Sequence, residues 1–241
     1  MFDLKGKKAL ITGSTQGIGF AIAKALSEAG AQVFLNGSNP EKAKAAQEKL
    51  PEAALAVCDL SRPDAAEVLY GITGEIDILI SNASVQYRRA WSEIDEDEME
   101  RQININFKAA VRLIKKYAPG MCERGFGRII TVGSVQQEQP HKDMLIYAAM
   151  KSAQENMVRN LAKQLAPHGV TVNNIAPGVI ETPRNEAALS DAEYAKRVMS
   201  WIPAGYAGEA EDCAGIALLL SSKEGRYMTG ENIYIDGGMK L

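Results

Sequence analysis

Residues 12–19 read Thr-Gly-Ser-Thr-Gln-Gly-Ile-Gly and lie between a short apolar run and a stretch with helical spacing of apolar residues. A glycine loop between a strand and a helix is typical of dinucleotide-binding turns. Gly13 permits the tight turn, Gly17 lets the backbone approach a pyrophosphate, and Gly19 permits close packing of helix on strand. The helix N-terminus adds free N–H groups and partial positive charge. The stretch predicts a nucleotide site, and a glycine-rich turn without a ligand is the alternative.

Outward from this loop, apolar runs of strand length alternate with segments of helical periodicity. The runs are continuously apolar, as in parallel strands that helices cover on both faces. We predict an α/β fold, a single-domain, doubly wound (Rossmann) parallel sheet of about seven strands over residues 1–241. The predicted strands are Lys8–Thr12, Gln32–Asn36, Ala53–Cys58, Ile76–Ser81, Arg128–Val132, Val170–Ile175 and Asn232–Ile235; the predicted helices are Phe20–Ala29, Pro40–Leu50, Asp95–Met121 and Tyr147–Ala166.

Residues 182–208 interrupt this alternation of strands and helices. The stretch is polar, with Pro183 and Pro203 near its ends. Long irregular connections in compact domains often cover active sites, so we predict a substrate lid here.

Composition narrows the class of protein. The chain has 241 residues, 27 Lys and Arg against 30 Asp and Glu, and a net charge of −3. Nucleic-acid binding favours a basic surplus, and a membrane span needs ~20 apolar residues; neither pattern is present. Three scattered cysteines, with no His/Cys cluster, argue against disulfides and a metal site. Because the first residues lead directly into a strand pattern, without room for a signal peptide, we expect a cytoplasmic protein.

The loop spacing, G-x-x-x-G-x-G, resembles the cofactor loop of the short-chain dehydrogenase/reductase family. Other landmarks of that family follow in order over essentially the whole chain: Asp59-Leu60, Asn82-Ala83-Ser84 in place of Asn-Ala-Gly, Pro177-Gly178-Val179 and Asp236-Gly237-Gly238. The resemblance implies an NAD(P)-dependent enzyme. The predicted cofactor-binding residues are Gly13, Ser14, Thr15, Gln16, Gly17, Ile18, Gly19, Asn36, Ser38, Asp59, Leu60, Asn82, Ala83, Tyr147, Lys151, Pro177, Gly178, Ile180 and Thr182.

Tyr147 and Lys151 are four residues apart on a predicted helix and therefore share one face. Ser134 lies 13 residues before Tyr147, and Asn106 lies in the preceding long helix. The resemblance implies that these four residues are catalytic and move a proton during hydride transfer. The alternative for Tyr147 and Lys151 alone is an ordinary pair on a helix surface.

The chemistry supports these roles independently. Reduction of a ketone needs hydride at carbon and a proton at oxygen, and tyrosine, with an ordinary pKa of ~10, is a poor base at neutral pH. A nearby ammonium favours the phenolate, so Lys151 would assist Tyr147 and also hold the nicotinamide ribose. Ser134 would hydrogen-bond the substrate oxygen, and Asn106 would brace a water that connects Lys151 to solvent.

The end of the second strand bears on the choice of cofactor. NAD enzymes usually place an acid here for the ribose 2′-OH, and this chain has Gly37 instead. Arginine at the place of Ser38, or a basic residue at Gln16, would indicate NADP, and both are absent. Because Asn36, Ser38 and Asn39 could donate to a 2′-phosphate, the prediction favours NADP over NAD and leaves dual use open.

The predicted substrate rim is polar: Gln136, Glu138, His141, Arg88 and Arg184. Arginines favour an anionic group such as a carboxylate. Together with the segments Gln86–Arg88 and Ser134–Glu138, the rim resembles the gluconate 5-dehydrogenase branch of the family and implies a sugar acid or polyol. Alternatively, Arg88 and Arg89 form a solvated face or a subunit contact.

Two other functions stay open. A 3-oxoacyl-acyl-carrier-protein reductase would share every catalytic residue, and a non-catalytic nicotinamide-binding sensor or scaffold would share the fold. The resemblance also implies a homotetramer or homodimer. Within the chain, Ile216–Leu220 fits either the core or an interface.

Overall fold

The computed structural model describes residues 1–186 and 190–241. In this part of the chain, seven parallel strands form one sheet in the order β3-β2-β1-β4-β5-β6-β7. The strands are β1 Lys8–Ile11, β2 Gln32–Leu35, β3 Ala54–Leu55, β4 Ile78–Ser81, β5 Gly127–Val132, β6 Val170–Pro177 and β7 Asn232–Ile235. The helices are α1 Gly17–Glu28, α2 Pro40–Lys49, α3 Ala65–Thr73, α4 Glu96–Ile103, α5 Ala109–Glu123, α6 Leu145–Leu165, α7 Ala192–Met199 and α8 Ala210–Ser221.

The seven-stranded parallel sheet confirms the predicted fold class. Its two apolar layers follow from the alternation of side chains along each strand. In β1, Ala9 and Ile11 face a core that also contains side chains of α1 and α8. Leu10 faces the opposite core, which contains side chains of α3, α5 and α6. Within Ile216–Leu220, Ala217 and Leu220 are fully buried, so these two residues belong to the core.

Element boundaries differ from the sequence predictions in two informative places. The third strand is only Ala54–Leu55, and it is an edge strand that pairs with β2 alone. The predicted helix Asp95–Met121 is α4 and α5 joined by one π-helical turn, Asn104–Lys108. Such turns are frequent at functional sites, and this one contains Asn106.

The strand order reverses at β1 and β4, and ligands of doubly wound sheets bind outside the strand ends at such a point. The glycine loop follows β1, and the segment with Asn82 follows β4. An isolated parallel bridge between Ile180 and Gly208 closes the base of the predicted lid. Of that lid, residues 187–189 lie outside the described part of the chain.

No helix among the described residues is long and apolar enough to cross a membrane. The same residues contain no group of three or more His, Cys, Asp or Glu side chains that could hold a metal ion.

Candidate active site

The glycine loop packs closely against the segment that follows β4. Gly13 has φ +61°, and a Cβ on it would lie 2.8 Å from the Cα of Ala83. A Cβ on Gly19 would lie 2.5 Å from Nδ2 of Asn82. Asn82 Nδ2 donates to the main-chain oxygens of Thr12 and Gly13 at 2.8 and 3.0 Å. These contacts fix the loop at the topological switch point.

The N-terminus of α1 fits an anionic ligand. Gln16 stands at the N-cap and makes no capping hydrogen bond with its side chain, and the first turn holds no acidic residue. The first N–H groups of a helix have no partner within the helix, so they favour a phosphate at this position. Gly17 has φ +58°, and a Cβ on it would meet the methyl group of Thr182 at 3.3 Å. A side chain at this position would be strained by the positive φ and would press on Thr182, so glycine suits the start of α1.

The side chains of Ser14 and Asn36 form hydrogen bonds that connect the ends of neighbouring strands, and these bonds occupy their donors. Ser14 Oγ donates to the main-chain oxygen of Ile11 at 2.7 Å and accepts from the N–H of Asn36 at 3.0 Å. Asn36 Nδ2 donates to the main-chain oxygens of Ala56 and Cys58 at 2.8 and 3.2 Å. Because both amide protons are engaged, we correct the expectation that Asn36 donates to a 2′-phosphate.

One cavity of about 460 Å³ runs from the glycine loop past the ends of β4, β5 and β6. Most of the predicted site residues line it, whereas Ser14, Asn106 and Glu138 do not. The predicted residues that line it are Gly13, Thr15, Gln16, Gly17, Ile18, Gly19, Asn36, Ser38, Asp59, Leu60, Asn82, Ala83, Arg88, Ser134, Gln136, His141, Tyr147, Lys151, Pro177, Gly178, Ile180, Thr182 and Arg184.

Ser134, Tyr147 and Lys151 meet in this cavity, and all three are buried. Ser134 follows β5, whereas Tyr147 and Lys151 lie on the first turns of α6. Lys151 Nζ lies 5.5 Å from the centre of the Tyr147 ring. Burial, together with the positive charge of Arg184, lowers the pKa of Lys151 to about 7. The lysine can therefore exchange a proton near neutral pH.

Asn106 is fully buried in the π-helical turn, and its side chain forms hydrogen bonds with the segment after β4. Its Oδ1 accepts from the N–H of Val85 at 2.8 Å, and its Nδ2 donates to the oxygen of Val85 at 2.8 Å. The side chain therefore holds a cavity wall, which differs from the expected role of bracing a water. That water stays a prediction.

Two basic residues that sequence reasoning missed also line the cavity. Lys42 lies in the first turn of α2, close along the chain to Ser38 and Asn39, and Asn39 caps that helix by accepting from the Lys42 N–H at 2.9 Å. Arg101, on α4, lies near Asp59. Lys42 could have been found by extending the search for a cationic residue one turn beyond β2.

The rim contains arginines held by uncharged groups. Arg184 donates to Oγ and to the main-chain oxygen of Ser84 at 3.0 and 2.6 Å. Arg88 donates to the hydroxyl of Tyr194 at 3.2 Å. Arg89 instead pairs with Glu98 at 2.6 Å, which separates it from the neighbouring Arg88.

The other predicted substrate residues divide between the cavity and its outside. Gln136 and His141 line the cavity, and Oε1 of Gln136 accepts from the His141 N–H at 2.6 Å. Glu138 is exposed and hydrogen-bonds Tyr234 on β7.

Comparison with known proteins places the chain in one family. A family model described as enoyl-(acyl carrier protein) reductase matches residues 13–240. Gluconate 5-dehydrogenase of Gluconobacter oxydans is 34% identical over 100% of this chain and 97% of its own. A 3-oxoacyl-[acyl-carrier-protein] reductase of Vibrio harveyi is 36% identical over 99% of each chain. The crystal structure of a Burkholderia cenocepacia gluconate 5-dehydrogenase in complex with NADP and tartrate has a TM-score of 0.91 and 33% identity, over 99% of this chain and 96% of that one.

The glycine loop at the switch point and the Ser134, Tyr147 and Lys151 side chains in one cavity are features of a nicotinamide-dependent oxidoreductase. The chain belongs to the short-chain dehydrogenase/reductase family. It is an NAD(P)-dependent enzyme that acts on CH–OH groups.

Proposed function

We propose that the protein interconverts D-gluconate and its 5-keto form with NADP as the preferred cofactor. The observation that carries the substrate class is the pair of rim arginines, Arg88 and Arg184. Their described contacts are to Tyr194 and Ser84, and none is to a carboxylate. A guanidinium without an acidic partner binds a carboxylate by charge-assisted hydrogen bonds.

The reacting alcohol would lie between Ser134 and Tyr147. When bound, the nicotinamide ring accepts or delivers the hydride. Ser134 hydrogen-bonds the substrate oxygen and fixes its position, since its Oγ accepts from the Gln136 N–H at 3.2 Å and the hydroxyl keeps its own proton to donate. Tyr147 takes the hydroxyl proton during oxidation and returns it during reduction. Lys151 stabilises the tyrosine charge and holds the ribose hydroxyls.

Lys42 and Ser38 support the preference for NADP. An acid at Gly37 would repel a 2′-phosphate, and none is present. Lys42, in the first turn of α2, and Ser38 both line the cavity, together with Gly37. Together they supply charge and a donor for a phosphate.

The identity to the Vibrio harveyi enzyme favours a second candidate, reduction of a 3-oxoacyl thioester. Initial rates decide between the two candidates: D-gluconate and a 3-hydroxyacyl thioester are oxidised in parallel with NADP and NAD, with glycerol as a control. Turnover of gluconate with the lower KM for NADP supports the proposal. Turnover of the thioester alone overturns it in favour of acyl chemistry.

Tyr147→Phe tests the assignment of the proton donor. Removal of the hydroxyl should lower kcat by at least ~100-fold, because general acid–base catalysis contributes 10²–10⁴-fold. The dissociation constant for NADPH, measured by fluorescence, should stay within about two-fold of the wild-type value. Near-wild-type kcat in this variant would show that another group transfers the proton.

We further propose that residues 1–241 form one domain and that the chain is a cytoplasmic homo-oligomer, either a dimer or a tetramer. The free thiols of Cys58, Cys122 and Cys213 support a reducing compartment. Light scattering coupled to gel filtration tests the oligomeric state, and a monomeric mass at assay concentration would contradict it.

A further inference from the structure

The ammonium of Lys151 is held by two neutral oxygens. Its side chain is buried, and Nζ donates to the main-chain oxygen of Val132 at 2.6 Å and to Oε1 of Gln154 at 3.1 Å. An ammonium has three N–H donors, so these two bonds leave one donor for a ligand in the cavity. The direction of that donor depends on where the other two are fixed.

Gln154 lies three residues after Lys151, on the same face of α6. Its side chain is only 1% exposed, and a buried amide is costly unless it is hydrogen-bonded. The side chain of Lys151 is flexible and ends in a compact charge. A single hydrogen bond to the Val132 oxygen on β5 would therefore leave the ammonium able to rotate about that bond. The second acceptor, on α6, restricts that motion.

We propose that Gln154 is a positioning residue of the active site, whose amide oxygen fixes the Lys151 ammonium and directs its remaining N–H into the cavity. The proposal rests on the catalytic role given above to Lys151.

The groups around Lys151 explain why the Gln154 amide matters for the charge of the lysine. Tyr147 faces it from α6, and Arg184 faces it from the segment after β6. Of its described contacts, none is to a carboxylate, and β5 contributes only a carbonyl oxygen. Burial and Arg184 both oppose the charged form, so the two oxygen dipoles are what favours it. Loss of one dipole should make the ammonium easier to deprotonate, and a carboxylate in its place should have the opposite effect.

Competitive labelling of the apoprotein measures this effect without substrate or cofactor. Lys151 is acetylated with trace acetic anhydride over a range of pH, and the extent is read by mass spectrometry. Gln154→Met should move the midpoint of the labelling curve down by about one pH unit, and Gln154→Glu should move it up. Gln164→Met is the matched control, since Gln164 is exposed on the same helix; it should leave the midpoint unchanged.

Kinetics then connect the contact to turnover. Gln154→Met should lower kcat roughly ten-fold and shift the alkaline limb of the kcat profile to lower pH, whereas Gln154→Glu should shift that limb to higher pH. An unchanged labelling midpoint in Gln154→Met overturns the proposal even if activity is lost, because the loss would then be structural. A shifted midpoint with unchanged kcat also overturns it. If the wild-type enzyme oxidises neither gluconate nor thioester, the proposed function fails, while labelling still decides the contact between Gln154 and Lys151.

Discussion

At the scale of single residues, the glycine loop indicates a dinucleotide cofactor, and Lys42 is the residue proposed to favour NADP over NAD. A side chain at Gly13 or Gly19 would collide with the segment after β4, and one at Gly17 would be strained by its positive φ and crowd Thr182. The role proposed for Lys42 is different, since its charge would act on a 2′-phosphate, which only NADP carries. The choice between NAD and NADP is therefore separable from the ability to bind either.

Lys42→Met should raise KM for NADPH by roughly ten-fold and leave KM for NADH nearly unchanged, because one exposed charge-assisted hydrogen bond is lost only with the phosphorylated form. Initial rates with each cofactor check this. Lys44→Met is the control, since Lys44 is exposed on the same helix and does not line the cavity. Equal increases in KM for both cofactors would rule out a phosphate-specific role for Lys42.

At the scale of elements, α6 supports the active site at two consecutive residues. Gln154 contacts Lys151, and Glu155 accepts from Nε2 of Gln137 at 2.7 Å. Gln137 ends the 3₁₀ turn Val135–Gln137, and its Oε1 accepts from the Ser134 N–H at 3.3 Å. The helix that carries Tyr147 thus also fixes the turn that carries Ser134.

Gln137→Met breaks this connection and should lower kcat several-fold with little change in the affinity for NADPH. The reason is that Ser134 contacts substrate in the proposed mechanism, whereas the proposed phosphate site is at the glycine loop after β1. Steady-state kinetics and fluorescence titration measure the two effects. Gln139→Met, on an exposed residue of the same segment, is the control. A weaker affinity for NADPH with unchanged kcat would contradict this view of the turn.

Comparison of particular elements shows what a sequence can predict here. Strands β1, β2 and β4 are short apolar runs that are mostly buried, and their pattern is local. The π-helical turn Asn104–Lys108 has no local signal, because a one-residue change of register depends on packing around it. The contacts of Asn36 and Gln154 are likewise decided by which neighbours the fold brings close. Site residues can therefore be predicted where they belong to a contiguous motif. The role of a side chain cannot be predicted where its hydrogen-bond partner is distant along the chain.

At the scale of the whole molecule, the buried Lys151 links function to stability. Its pKa of about 7 lies below the ordinary value of 10.5, so between these values the unfolded chain binds more protons than the folded one. The free energy of unfolding therefore rises with pH through this window, and the contribution is smallest below pH 7.

Lys151→Met removes this dependence along with activity. In the apoprotein, the free energy of unfolding of the wild type, relative to the variant, should increase by about 1–3 kcal/mol between pH 7 and pH 9. Denaturant unfolding at several pH values measures it, with Lys163→Met, on an exposed residue of α6, as the control. A difference that stays constant with pH would show that the lysine is fully charged in the folded enzyme.

The bridge between Ile180 and Gly208 has a consequence for how this enzyme could diversify. Because the two ends of the intervening stretch are joined to each other, its length and composition can change at a small cost in chain entropy. The stretch carries Arg184 and Tyr194 from the rim, whereas the glycine loop, Ser134 and α6 lie outside it. Replacing residues 181–207 by those of a relative should therefore alter which alcohol is accepted, provided that Thr182, which lies against Gly17, and Arg184, which lowers the pKa of Lys151, are retained.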